Sequence, residues 1–241
     1  MTTSPAITVQ GSFHINGQPL FTGIDLNIPA GGWTCLLGKS GAGKSTVLRL
    51  LLGLDTAGHF DGTVRTSDGR GIAGRVSYMA QSDLLLPWLS LTENVVLGAR
   101  LRGETPDIDK AEAMISRVGL SAHRSKRPRA LSGGMRQRLA LARTLMEERS
   151  IVFLDEPFSA LDAGTRADMQ DLVSEVLHDK TVLLVTHDPS EACRLAHHIA
   201  VLSSGGSEVW PVPQVAPVRA IDDPATLRSQ AALLAYLRGS R

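Results

Sequence analysis

The sequence predicts an α/β fold on a mainly parallel central sheet, and three observations predict it. A short apolar run, WTCLL at 33–37, stops at a glycine-rich stretch, GKSGAGKST at 38–46, and a helical pattern follows at once. Two further apolar runs, IVFLDE at 151–156 and TVLLVTH at 181–187, each end in polar residues. A helical pattern over Thr165–His178 lies between them. Strand, helix, strand is the rhythm of parallel strands, which need a crossover to join them.

The elements follow in order. AITVQGSFHI at 6–15 alternates well enough for a strand, LFTGIDLNI at 20–28 is a second, and PAGG at 29–32 is a turn. WTCLL suits a buried strand. Lys44–Leu52 reads as a helix, with apolar Val47, Leu48, Leu50, Leu51 and Leu52 and a stop at Gly53. Residues 55–80 are turn-rich, with short strands near GTVRT and GRVSYMA. Residues 84–146 are mainly helical, over Thr92–Arg102, Asp107–Val118 and Gly133–Met146. HHIAVLS gives one more strand, WPVPQVAPV at 210–218 is proline-rich and extended, and 224–238 forms a terminal amphipathic helix.

The 241 residues suffice for one large domain, or a domain with a modest subdomain. Hydrophobic residues make up 43% and charged ones 20%, as in ordinary globular chains. A net charge of +1 gives no field that argues for nucleic acid or anionic lipid. Cys35 and Cys193 stand in unrelated contexts without zinc spacing and read as buried small hydrophobes. The N-terminus lacks the pattern of a signal peptide, and no apolar run approaches the ~18 residues that span a bilayer. The expectation is a cytoplasmic chain that reaches a membrane only through a partner.

The triplet GKS occurs twice, at Gly38-Lys39-Ser40 and Gly43-Lys44-Ser45. A phosphate-binding loop reads G-x4-G-K-[ST]. Counting back from the second triplet lands on Gly38; counting back from the first lands on Trp33, so only the second register works. The candidate ATP-binding residues are therefore Gly38, Lys39, Ser40, Gly41, Ala42, Gly43, Lys44, Ser45 and Thr46. The glycines let backbone N–H groups converge on phosphate oxygens, and the helix N-terminus adds partial positive charge. Lys44 is placed to reach the β- and γ-phosphates and Ser45 to ligate Mg²⁺. Lys39 lines the loop with its backbone and keeps its side chain in solvent.

IVFLDE ends in Asp155 and Glu156, and two acids closing a buried strand need compensating charge. Mg²⁺ would supply it, with Asp155 as a direct or outer ligand and Glu156 polarising the attacking water. The other reading is an acidic cap after the strand; with a phosphate loop in the same sheet it is the lesser one. TVLLVTH ends the same way, with His187 able to hold a γ-phosphate. The remaining histidines, including His197 and His198, read as structural.

LSGGMRQR at 131–138 offers a second phosphate site: Ser132 is a good N-cap, and Gly133 and Gly134 allow close backbone approach at a helix start. Here the chain resembles the ATP-binding-cassette (ABC) ATPases over nearly its whole length. In order stand the Walker A loop GKSGAGKS, the Q-loop at Gln81 in YMAQSDLLLPW, the signature LSGGMRQR, Walker B IVFLDE, the D-loop SALD and the H-loop at His187. The resemblance implies a P-loop NTPase fold with an N-terminal antiparallel β subdomain and an inserted helical subdomain, about 84–146. It implies one domain over 1–241, with 210–241 as a C-terminal extension.

It also implies that two copies pair head to tail around ATP and Mg²⁺. Each nucleotide lies between Lys44 of one copy and Leu131, Ser132, Gly133, Gly134 and Gln137 of the other. Ser159, Ala160, Leu161 and Asp162 face the partner copy. Glu156, His187 and Gln81 are the catalytic set, and Ser45, Gln81 and Asp155 hold Mg²⁺. The family's usual adenine-stacking aromatic is replaced by Ile15, with Phe13 and His14 adjacent.

A load is implied as well. Leu85, Leu86, Pro87 and Trp88, just after Gln81, resemble a docking groove for an integral membrane permease, itself served by a solute-binding protein. LLPWLS resembles the importer branch for nitrate, sulfonates and taurine. GLDTAGHFDGTV and LLLPWLSLTENVVLGARLRGE resemble its members for the pyrimidine precursor of thiamine. The implied place is the cytoplasmic face of the inner or plasma membrane. The competing class is a non-transport ABC ATPase of the repair or translation type. Those resemble chains with coiled-coil insertions, zinc modules or tandem cassettes, and the near-zero charge disfavours nucleic acid.

Overall fold

The computed structural model describes residues 4–239; residues 1–3 and 240–241, which the reading of 1–241 as one domain includes, lie outside the described residues. In chain order the elements are β1 (Ile7–Ile15), β2 (Gln18–Ile28), β3 (Trp33–Gly38), α1 (Lys44–Leu52), β4 (His59–Thr66), β5 (Val76–Met79), α2 (Leu91–Val95), α3 (Leu97–Leu101), α4 (Ile108–Arg117), α5 (Gly133–Leu145), β6 (Ile151–Asp155), α6 (Ala163–Val176), β7 (Thr181–Val185), α7 (Pro189–Leu195), β8 (His198–Ser203), β9 (Gly206–Trp210) and α8 (Pro224–Gly239). The chain divides into two compact units, one of Met1–Val76, Ser150–Asp155 and His178–Arg241, the other of Ser77–Arg149 and Glu156–Leu177.

The first unit holds two sheets. The smaller is antiparallel, in the order β2-β1-β4, with Val9 opposite both Leu26 and Val64. Alternation along β1 buries Ile7, Val9 and Phe13. The larger runs β6-β7-β3-β8, all parallel, with β9 antiparallel on β8. All six residues of β3 are buried, which is why WTCLL shows no alternation. Leu36 pairs with Val185, and Val185 with Asp155, so β7 and β6 end level with one another and β3 runs two residues further, to Gly38. Each buried Leu, Ile or Phe here contributes about 1.5–3 kcal/mol of transfer free energy.

The pattern of GSEVW is too weak to predict β9; a turn at Ser204–Gly205 folds it back on β8, with Gly206, at φ +118°, opening the strand opposite Ser203. Trp210 ends β9 and the stretch 211–218 carries no regular element; α8 packs through Leu233 and through Ser229, whose hydroxyl lies 3.7 Å from the Cys193 thiol. Cys35 and Cys193 are both buried and free, and burial pushes the Cys35 thiol well above its usual range.

The second unit contains β5 and helices α2–α6. Its core includes Leu91, Ile115, Leu139, Leu141, Phe158 and Val173. The pattern over Thr92–Arg102 predicts one helix; the structure breaks it at Val96 into α2 and α3. Helix starts are marked as chemistry requires: Asp107 caps α4, Ser132 caps α5 and Asp162 caps α6, each accepting from a first-turn N–H. Among the described residues no helix is long and apolar enough to cross a membrane.

Candidate functional site

In the first unit the glycine-rich stretch joins the end of β3 to α1. A turn closed by Ala42 N–H to the Lys39 carbonyl, 3.1 Å, shapes it. Gly41 and Gly43 have φ of +83° and +100°, and a Cβ at Gly43 would meet the Phe21 ring at 2.8 Å. Glycine is therefore required at 43 by conformation and by packing. Lys44 Nζ donates to the carbonyls of Gly38, 2.7 Å, and Lys39, 3.0 Å, so its ammonium arches back over the loop. Lys39, Ser40 and Ser45 are exposed, and Thr46 is half-buried.

Helix α1 differs from α2, α4, α5, α6 and α7. Each of those has a side-chain cap; α1 begins at Gly43, with no capping side chain and no acid in its first turn. Its first-turn N–H groups and positive dipole end are thus offered to an external anion. Two residues beyond the Leu36–Val185 register lie Gly38 on one strand and the exposed His187 on the other. Thr186 and Asp188 flank that histidine in a tight bend. The Thr186 hydroxyl donates to Glu191 Oε2, 2.6 Å, and accepts from Asp188 N–H, 3.1 Å. Asp155, buried, closes β6 opposite Val185, two residues short of His187.

In the second unit Gln81 Nε2 lies 3.4 Å from Glu156 Oε2. Glu156 has φ +49°, a conformation uncommon outside glycine. Ser132 and Gly133 are exposed at the start of α5, Leu131 is buried beneath them, and a Cβ at Gly134 would meet the Ala160 carbonyl at 2.9 Å. Gln137 is buried, and its amide bonds the Glu156 carbonyl, Ser159 Oγ and Ala160 N–H. Leu161 is buried. Asp162 is exposed, and the Thr165 N–H and hydroxyl hold its carboxyl below the usual range.

The model of the ABC transporter family matches residues 21–159. An uncharacterized ABC transporter ATP-binding protein of Haemophilus influenzae is 48% identical over 195 residues, 80% of each chain. The chain belongs to the ABC transporter family. It is also similar to the aliphatic sulfonates import ATP-binding protein SsuB 2 of Agrobacterium fabrum, 43% identical over 79% of this chain and 73% of that one. Among solved structures it is similar to the dimeric structure of MJ0796, a bacterial ABC transporter cassette. The TM-score is 0.73 at 26% identity, over 89% of this chain and 99% of that one.

This ABC ATPase carries the α/β P-loop fold of its family and hydrolyses ATP. Phe13, adjacent to the position expected to face adenine, is buried against Phe21, ring centroids 5.9 Å apart. That leaves half-buried Ile15 at the end of β1, opposite Gln18. Leu85 is buried and Leu86 and Pro87 are half-buried, whereas Trp88 is 65% exposed and Leu84 62%.

Sequence reasoning missed what holds this loop. Buried Asn94 accepts from Leu86 N–H and donates to the carbonyls of Leu86, Leu89 and Ser90. Arg143 donates to the carbonyls of Asp83, 2.7 Å, and Leu84, 2.8 Å. The Ser90-to-Glu93 capping box was the readable signal, an S-x-x-E pattern just before the helix.

Proposed function

We propose that this ABC ATPase is the nucleotide-binding subunit of a solute importer, and that ATP binds on the Gly38–Thr46 loop with Ile15 against adenine. The observation that carries the phosphate site is the uncapped start of α1, with Lys44 arched over the carbonyls of Gly38 and Lys39. A polyphosphate would draw Lys44 from those carbonyls and accept from the first-turn N–H groups.

The residues fit Mg²⁺, which takes hard oxygen donors: the Ser45 hydroxyl, the Asp155 carboxylate and the Gln81 side-chain carbonyl. When bound, Mg²⁺ neutralises charge on the phosphate oxygens. Glu156 polarises the attacking water, His187 hydrogen-bonds the γ-phosphate, and Gln81 orients the water region. Two copies pair head to tail, Leu131, Ser132, Gly133 and Gly134 of one meeting the nucleotide of the other, with Ser159–Asp162 along the junction. Nucleotide then biases an open–closed equilibrium. The chain acts as one domain over 1–241, with 84–146 as the helical part and 210–241 as a C-terminal extension.

The relatives named for aliphatic sulfonate import support an import load. They favour a sulfonate-type solute; the stretches 53–64 and 84–104 favour the pyrimidine precursor of thiamine. The chain would sit on the cytoplasmic face of a membrane through its permease, supplied by a solute-binding protein. Affinity purification of the tagged chain from detergent-solubilised membranes tests this. The expected result is a polytopic membrane protein in stoichiometric amount, whose binding protein is then titrated with a sulfonate and with the pyrimidine. Recovery of the chain with soluble factors alone would instead favour the non-transport class.

A further inference from the structure

Gln137 lies on the second turn of α5, with its carboxamide buried inside the second unit. Nε2 donates to the Glu156 carbonyl at 2.9 Å and to Ser159 Oγ at 3.1 Å; Oε1 accepts from Ala160 N–H at 2.8 Å. Both N–H bonds of the amide are thereby used within its own chain. Ser159 Oγ in turn donates to the Glu156 carbonyl at 3.1 Å. Two side-chain donors thus meet on the carbonyl of a residue in a left-handed conformation, which persists only where its surroundings hold it. One turn earlier, Gly134 lets α5 approach the Ala160 carbonyl, so segment 156–160 rests directly on the helix.

We propose that Gln137 is a positioning residue for ATP hydrolysis. It fixes the backbone at Glu156 and at Ser159–Ala160, and so fixes the direction in which the Glu156 carboxylate leaves the chain. This rests on the reading of Glu156 as the group that polarises water. It differs from a contact between Gln137 and the partner copy's nucleotide, for which both N–H bonds are already committed. The deciding property is where the loss falls. A misdirected Glu156 lowers kcat, whereas a lost nucleotide contact raises KM.

The test compares Gln137→Met, Ser159→Ala and Glu156→Gln in the full chain, measuring kcat and KM for ATP with Mg²⁺ and, separately, affinity for a fluorescent ATP analogue. Gln137→Met keeps the side-chain length and removes the amide. The expected result is a kcat loss of tenfold or more, counted per bound nucleotide, with KM and affinity within twofold. Ser159→Ala removes one of the two donors at an exposed position and should lose two- to threefold in kcat alone. A kcat within twofold of wild type for Gln137→Met, or a loss expressed in KM, overturns the proposal. Should Gln137→Met fail to fold, Ser159→Ala decides in the same sense: an unchanged kcat overturns it. Glu156→Gln separates the two levels. Turnover retained there defeats the reading of Glu156 itself; turnover lost there beside a normal Gln137→Met defeats only the positioning role.

Discussion

The side-chain amide of Gln137 donates to the main-chain carbonyl of Glu156 at 2.9 Å, across 19 residues of sequence. One helix therefore supports the acid that the proposed reaction depends on. The same helix also reaches the Gln81 loop: Arg136, next to Gln137, bonds Asp83 Oδ2 through Nε at 3.0 Å, and Arg143, further along, holds the carbonyls of Asp83 and Leu84. The loop that follows Gln81 and the segment that follows Glu156 are thus tied to one rigid element.

Glu156→Gln keeps the shape of the side chain and removes its charge. ATP should still bind and the closed dimer should accumulate, because water is no longer polarised while the phosphate contacts remain. Size-exclusion chromatography with ATP should show the dimer, and phosphate release should fall at least a hundredfold, within the range that general-base removal gives. Brisk turnover in this variant would remove Glu156 from the mechanism.

The two lysines of the loop should behave oppositely. Lys44 touches the Gly38 and Lys39 carbonyls and sits at the start of α1, whereas the Lys39 side chain is exposed. Lys44→Ala should abolish hydrolysis, and Lys39→Ala should stay within about twofold of wild type, as a solvent-screened charge contributes little. A steady-state ATPase assay at two salt concentrations checks both. A lethal Lys39→Ala would put the loop in the wrong register.

Trp88 and Leu84 form the exposed apolar part of the loop after Gln81, while Leu85 is committed to the core. Trp88→Glu should leave the melting temperature unchanged, since little buried surface is lost. It should lower permease-stimulated ATPase at least tenfold more than the rate of the isolated chain. Reconstituted transport at normal coupling would show that the permease docks elsewhere.

Much of this was legible because the chemistry is local. The phosphate loop, its glycines and the helix it opens lie within the single stretch 38–52, and the buried strands are continuous apolar runs. The bounds of α1 match the pattern of Lys44–Leu52 because Gly53, at φ +65°, ends it. Less was legible where partners are far apart in sequence. Gln137 reads as one more residue of LSGGMRQR, and only folding shows its amide turned inward to Glu156, Ser159 and Ala160. Phe13 reads as available to a base until Phe21 is seen against it. The break at Val96 falls inside an unbroken apolar pattern, and β9 owes its existence to pairing with β8 more than to its own residues.

The C-terminal extension presents the last test. Arg219, 2% exposed, donates to the carbonyls of Val215 at 2.6 Å, Cys193 at 2.8 Å, Ala196 at 2.9 Å and Pro213 at 3.0 Å. Its N–H also bonds the Arg194 carbonyl at 3.1 Å. One guanidinium therefore joins stretch 213–219 to the end of α7, and α8 follows it. A planar fork of five donors suits this task, and lysine could not reproduce it. Burial lowers the Arg219 pKa, and a buried guanidinium needs the carbonyl partners that it has here. Arg219→Met keeps the packing volume but leaves four carbonyls to find other partners. The expected cost is about 2–4 kcal/mol, or roughly 5–15 °C in melting temperature at this chain length. Limited proteolysis should also begin to cut within 210–223. A variant that melts with wild type and resists cleavage would mean that α8, through Leu233 and the Cys193–Ser229 contact, holds the extension without the arginine.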